Sequence, residues 1–549
     1  MHSGFDKRVV CLLAGTVLVS GFLLLLPRKV GAIPAFSRQY GTSCSTCHVD
    51  FPKLNDFGKA FKDAGFKFPK DDETFLKVQP VMLGSPAQKE LWPKTIWPGT
   101  IPGMPPIGLR MNNFFQVVGQ NRNNFNVPSA IMSSDGIPQF IPRTDFQTGY
   151  FSIFTAGNFG SDIAFWVDDD ISVGGENVNG SLGDGYLKFV DLGRFLKLPK
   201  DSLSLRAGQF ELDLPFTQAR SIDLSDYDIY AEANIGAMNS MLSQQNVNNQ
   251  FVFTNPAHGV EVSGGHNYGG YHYSLAMVDQ NTSSSSTVSP YVPSANGVGF
   301  VSDSNFKDLY GRLAYRFNLE RDRASRNAVQ AAGRLGPRDH TSLRLGTYYF
   351  YGRSVQRVLG GTAGTTLLTA REPFYRVGGD FDFHYRQAFN IYGLYMYGHD
   401  HNLLPVDSAG ALVPLPLPLP SAPPFPVSFA RGTAAQFDGG FIQTDYQPLP
   451  WVMTIMRWDL VNSSADRING LSGAAENPST PFQAAFRQGR SRFTPGVQFL
   501  IHANIKASFE YQYRPQQAVL IVIDPTTGLP VATSPFRTST AITALEWVF

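Results

Sequence analysis

With three cysteines in 549 residues, the sequence has room for one site built on a thiol pair, Cys44 and Cys47; the third, Cys11, lies in a segment that reads as removed on export. Charge is scarce too. Only 16% of residues are charged, against about a quarter in soluble domains, and the net charge is +1. That balance argues against nucleic acid or a charge-steered anionic partner. No apolar run after Leu26 is long enough for a membrane helix, which needs about 20 residues. What the chain has instead is rings and glycine: 43 Phe, 22 Tyr and 52 Gly. An aromatic-rich, charge-poor chain with no later membrane helix points to many strands.

Lys7 and Arg8 precede an apolar run from Val9 to Leu26, and Val30-Gly31-Ala32 supplies small residues for cleavage. Residues 1–32 therefore read as an export signal, or, because the run exceeds the usual span of about 7 to 15 residues, as an uncleaved anchor. Either way Cys44 leaves the cytoplasm. There Cys44-Ser45-Thr46-Cys47-His48 forms the C-x-x-C-H spacing of covalent haem c attachment. Two thiols from one turn can add to the two vinyl groups, and the adjacent imidazole of His48 reaches the iron as proximal ligand. A redox pair would need a βαβ context, and zinc would need four ligands. One haem per chain is expected. For the distal ligand Met104 ranks first and Met82 second, whereas Met111 shares a face with Leu109 and Phe115 that is assigned to lipid. His399 and His401, beside Asp400, read as solvated residues at a strand end.

Alternation with period two recurs along the rest of the chain. Leu309, Gly311, Leu313, Tyr315 and Phe317 share one face against Tyr310, Arg312, Ala314 and Arg316. Ile505, Ala507, Phe509 and Tyr511 likewise oppose Lys506, Ser508 and Glu510. One greasy and one wet face suit a membrane barrel, though a soluble sandwich also alternates. Candidate strands fall near 107–118, 146–157, 162–173, 183–196, 203–212, 258–266, 270–279, 307–318, 341–353, 374–386, 389–399, 437–446, 451–461, 492–502, 505–515 and 538–549. That predicts an all-β transmembrane barrel of about 16 antiparallel strands, with tight turns alternating with long loops. Tight turns belong to the periplasm, and so by parity does Phe549. The connection 321–340 is long where a tight turn is due, which suggests missed or merged strands. Ala541, Thr543, Leu545, Trp547 and Phe549 share a face, like the terminal strand read by barrel assembly machinery.

Residues 33–106 form a candidate monohaem cytochrome c domain, and 107–549 the porin-like barrel. Phe51, Leu54, Phe57, Phe61 and Ala64 recur at helical spacing with Gly65 as the stop; the stripe would lie on the haem or on neighbouring chain. Asp168, Asp169 and Asp170 at a predicted outer rim, and Asp223, Asp226, Asp228 and Glu232 in a long outer loop, offer hard oxygen ligands for Fe(II) or calcium, or plain solvation.

The flanks of the motif, Pro34–Ser43 and Phe51–Lys62, resemble the haem segment of the fused monohaem cytochrome and porin proteins of iron-oxidising bacteria. The resemblance implies that the haem domain plugs an outer-membrane barrel. It would take electrons from an extracellular donor such as Fe(II), with possible Fe(II) oxidase activity, and pass them to a periplasmic carrier such as a soluble cytochrome c. Cys44, Cys47 and His48 carry over directly. The partners expected are thus outer-membrane lipid, an extracellular donor and a periplasmic carrier, with no nucleic acid. The alternative is a solute porin whose periplasmic haem domain is a gate or sensor.

Overall fold

A computed structural model describes residues 35–68, 81–82, 86–91, 100–101, 107–118, 144–159, 162–171, 181–217, 221–231, 256–279, 292–294, 297–299, 307–319, 341–360, 365–386, 388–401, 403–406, 409–410, 428–432, 434–463, 489–502, 504–514, 518–523, 530–537 and 539–548. The expected export segment 1–32, Met104, Glu232 and Phe549 lie outside the described residues, as does the side chain of Met82.

Sixteen antiparallel strands close into one barrel. They are β1 (Ile107–Val118), β2 (Thr144–Phe159), β3 (Ile163–Ile171), β4 (Ser181–Phe189), β5 (Ser204–Phe210), β6 (Ala257–Gly265), β7 (Gly270–Asp279) and β8 (Asp308–Asn318). The second half comprises β9 (Ser342–Gly360), β10 (Thr365–Tyr385), β11 (Phe389–Asp400), β12 (Ala435–Leu449), β13 (Val452–Ser463), β14 (Gly489–His502), β15 (Ile505–Gln512) and β16 (Thr540–Val548). The last strand pairs with the first, from Thr540 opposite Val118 to Val548 opposite Arg110, so no edge is left open.

Alternation holds where the sequence places it. In β8, Leu309, Leu313, Tyr315 and Phe317 are exposed on the outer face, Leu313 at 58%, while Tyr310, Arg312, Ala314 and Arg316 are buried inside. Outward apolar residues and an inward charged wall make this a membrane barrel, since in lipid only a closed sheet satisfies its backbone. Inside, ion pairs reach across strands. Arg312 of β8 meets Asp380 of β10 at 2.7 Å, passing over Gly346 of the intervening β9. A Cβ there would stand 2.4 Å from the Asp380 carboxylate, so glycine makes the passage possible.

Some boundaries move. The run 183–196 is not one strand: β4 ends at Phe189, and Leu192–Leu196 is a 3-10 turn between Asp191 and Lys197, both in left-handed backbone. β9 and β10 are longer than their alternation suggests, 19 and 21 residues against 11 and 12 in flanking β8 and β11, so their hairpin stands above its neighbours. β8 and β9 pair directly from Leu309–Tyr351 to Asn318–Ser342, so no barrel strand stands between them; residues 320–340 lie outside the described residues.

Arg110, Lys506 and Glu546 hold the closure seam, with Lys506 3.1 Å from the carboxylate and Arg110 bonded to it. Truncating one partner of a buried pair costs about 3–5 kcal/mol. Glu546→Ala leaves two buried cations, so the temperature at which the unheated electrophoretic band converts to the boiled one should drop by several degrees. Glu546→Gln, which still accepts hydrogen bonds, should lose less.

Candidate functional site

Residues 35–68 fold inside the barrel. Helix α1 (Ala35–Tyr40) leads to the 3-10 turn Cys44–Thr46, a short hairpin (His48–Asp50 with Lys53–Leu54), and helix α2 (Asp56–Asp63). Asn55 caps α2 by accepting from Gly58 N–H at 2.9 Å, and Gly65, with φ +74°, ends it as the sequence suggests. The apolar face of α2 is covered by chain. Phe57 and Phe61 pack with Phe36, Tyr40, Phe66 and Phe68, and Phe66 meets Trp166 of the wall at 5.5 Å. The stripe packs on neighbouring chain.

This segment is moored to the tight-turn end. Arg316 at the foot of β8 donates two bonds to Asp56, of 2.5 and 2.9 Å. Lys53 reaches Asp445 at 2.5 Å and Asn390 at 2.6 Å, and Lys506 donates to the Phe51 carbonyl at 2.7 Å. Asp63 accepts from Asn267 in the β6–β7 turn at 3.1 and 3.2 Å. Burial alone would raise the Asp56 carboxyl, but Arg316 and Lys59 hold it below the ordinary carboxylate range.

The C-x-x-C-H turn sits within this moored segment. Cys47 N–H donates to Cys44 O at 3.1 Å, both thiols are free and half-buried, and exposed Ser43 and Ser45 flank them. Burial pushes the Cys44 thiol up, and burial with the Cys44 charge beside it pushes Cys47 up to about 12, so both stay protonated. Burial also presses His48 down to about 4, leaving a neutral ring, and its buried Nδ1 has no hydrogen-bond partner. Two unpaired thiols on one turn and a neutral imidazole with an orphaned nitrogen fit a group that engages all three.

A second segment enters from the other side, and the sequence reading missed it. β5 ends at Phe210 rather than 212, and residues 211–217 and 221–231, most of them expected in an outer loop, fold into the lumen. Leu212, Leu214, Ile222, Tyr227, Ile229 and Tyr230 are buried there, and Tyr227 stacks on Phe441 of β12 at 4.0 Å. Apolar residues at this density in a supposed solvent loop were the available signal. Asp223, Asp226 and Asp228, offered as Fe(II) ligands on an outer loop, are therefore inside the lumen, whereas Asp168–Asp170 stand at the end of β3 as expected. Asp223 lies 3.1 Å from Arg457, Asp228 is fully buried 3.0 Å from Arg492, and the Asp226 carbonyl accepts from Arg457 at 3.0 Å. Asp168 sits within β3 and accepts from the Trp166 indole at 3.0 Å. Among the described residues no cluster of three or more His, Cys, Asp or Glu could hold a metal ion. His399 and His401, read as solvated, are half-buried, His399 stacking on Tyr375, and Asp400 between them is 2% exposed and pairs with Arg376 at 2.5 Å.

No family model matches the chain, and no curated protein matches it in sequence. The chain is similar to solved structures of outer membrane proteins. The outer membrane channel DcaP of Acinetobacter baumannii is 10% identical, covering 81% of this chain and 96% of its own, with TM-score 0.41. An anion-selective porin from Comamonas acidovorans is 11% identical over 81% and 98%, TM-score 0.39, and OprB of Pseudomonas putida 8% identical over 81% and 94%, TM-score 0.41.

The Arg316–Asp56 pair gives the mooring a pH dependence. Because the folded-state pKa of Asp56 is depressed, its contribution is present above the ordinary carboxylate pKa and is lost as pH falls through the depressed value. Protease cleavage within 35–68 should stay slow at neutral pH and accelerate only under strongly acid conditions. In Arg316→Gln cleavage should be faster at neutral pH already, with the barrel intact.

Proposed function

We propose that this chain is an outer-membrane barrel whose lumen holds one covalently bound haem c on Cys44 and Cys47, with His48 as proximal ligand, and that it carries electrons between an extracellular donor and a periplasmic carrier. The observation that carries the reading is the mooring of the C-x-x-C-H turn inside the barrel. A bilayer insulates against electrons, so one centre can serve both faces only from within a pore that pierces it. Bound there, haem supplies a one-electron centre whose potential follows its axial ligands and burial. The chain's own residues bring the thiols onto one turn, keep the imidazole neutral, and fix both to the wall through Asp56, Lys53 and Lys506.

A solute porin whose haem segment gates the periplasmic mouth is the second reading. The barrel architecture by itself favours it over electron transfer: a closed barrel with a charged lumen wall and an inward-folded segment suits selective passage of solutes. With Asp223 and Asp228 turned inward, no Fe(II) dock stands among the described residues, so a donor would travel down the lumen past 211–231. A small aqueous ion meets that demand better than a protein.

One measurement tests the haem that both readings share, and a second separates the readings. The mature chain should keep haem staining through denaturing electrophoresis, at one haem per chain, and Cys47→Ser should weaken or remove it. In sealed vesicles enclosing a soluble c-type cytochrome, Fe(II) added outside should reduce the enclosed cytochrome, and His48→Ala should abolish the reduction. Solute entry without any reduction of the enclosed cytochrome would establish the porin instead.

A further inference from the structure

We propose that the Asn55 carboxamide is the positioning group of the C-x-x-C-H turn: its NH2 group fixes the backbone from Ser45 to Cys47 so that the two thiols and the His48 ring face a single ligand. This rests on the haem reading above and deepens it.

Asn55 has two jobs that its neighbours separate. Its Oδ1 accepts from Gly58 N–H at 2.9 Å, which caps α2, and Asp or Ser would serve that purpose about as well. Its Nδ2 does something neither can. It donates to the carbonyls of Ser45 at 3.2 Å and Thr46 at 3.1 Å, while the Asn55 backbone N–H donates to the Cys47 carbonyl at 3.0 Å. Three consecutive carbonyls of the turn thus end on one residue, which is 2% exposed. Two donors and one acceptor on a single short side chain require an amide. Gly58 allows the approach, since a Cβ there would lie 2.1 Å from the Cys47 carbonyl oxygen. The first turn of α2 is therefore pressed against the very backbone that spaces the two sulfurs. A thiol pair can bond to two fixed positions on one planar group only if that spacing is held.

Asn55→Asp is the discriminating variant. It keeps a good cap, removes both donors, and turns a carboxylate toward two carbonyl oxygens. In protein prepared without haem, alkylation of Cys44 and Cys47 should run about tenfold faster in Asn55→Asp and Asn55→Ala than in wild type, as expected from losing two neutral hydrogen bonds. In matured protein, mass analysis should show fewer chains with two thioether bonds in both variants. Heat-dependent electrophoretic mobility confirms that each barrel has folded. A role confined to capping predicts that Asn55→Asp matches wild type while Asn55→Ala does not; that result, or unchanged thiol protection in both, overturns the proposal. If wild type itself takes up no haem, the function proposed above fails, and the alkylation rates alone decide the role of Asn55.

Discussion

Charge buried in the lumen wall is the constraint on which the rest depends. An ion removed from water is tolerated when a partner of opposite sign and further hydrogen bonds replace its hydration. Part of the wall balances itself, as where Arg312 meets Asp380 and Arg376 meets Asp400. Elsewhere the partner comes from inserted chain. Arg492 is matched by Asp228 and Arg457 by Asp223, the two arginines sharing Asp459 of β13, and Glu510 by the amides and hydroxyl of Leu224 and Ser225. At the tight-turn end Arg316 and Asp445 are matched by Asp56 and Lys53. Filling and charge balance are one arrangement: either inserted segment, if withdrawn, would leave uncompensated charges behind.

That arrangement places chemistry where an open pore has none. An aromatic knot of Phe36, Tyr40, Phe57, Phe61, Phe66 and Phe68 gives residues 35–68 a small core, and Trp166 extends it into the wall. A segment this small buries too little surface to stand alone, so it borrows stability from the barrel. The C-x-x-C-H turn is consequently held by residues far away in sequence, with Lys506 and Phe51 455 positions apart.

Period-two alternation made the barrel legible, because lipid outside and polar groups inside impose opposite chemistry on successive residues. Each of the sixteen strands overlaps a run that alternation marks, and Leu313 against Arg312 shows why, though the run 183–196 stops as a strand at Phe189. Alternation says little about where a strand stops once it rises clear of the membrane, which is why β9 and β10 outrun their expected ends. It says nothing about a loop that turns inward. Asp223 and Asp228 look like solvated acids in one dimension, and only the arginines of β13 and β14, some 230 to 265 residues later, give them their role. The C-x-x-C-H spacing was plain in the sequence, whereas the bonds from the Asn55 amide to that turn needed coordinates, since a cap and a clamp share the same letter.

Ionic conductance across a planar bilayer tests most directly whether the chain fills its own lumen. The account predicts that the intact chain passes little current and that deleting residues 35–68, with the barrel still folded, raises it severalfold. An intact chain that conducts as freely as the deletion would contradict it.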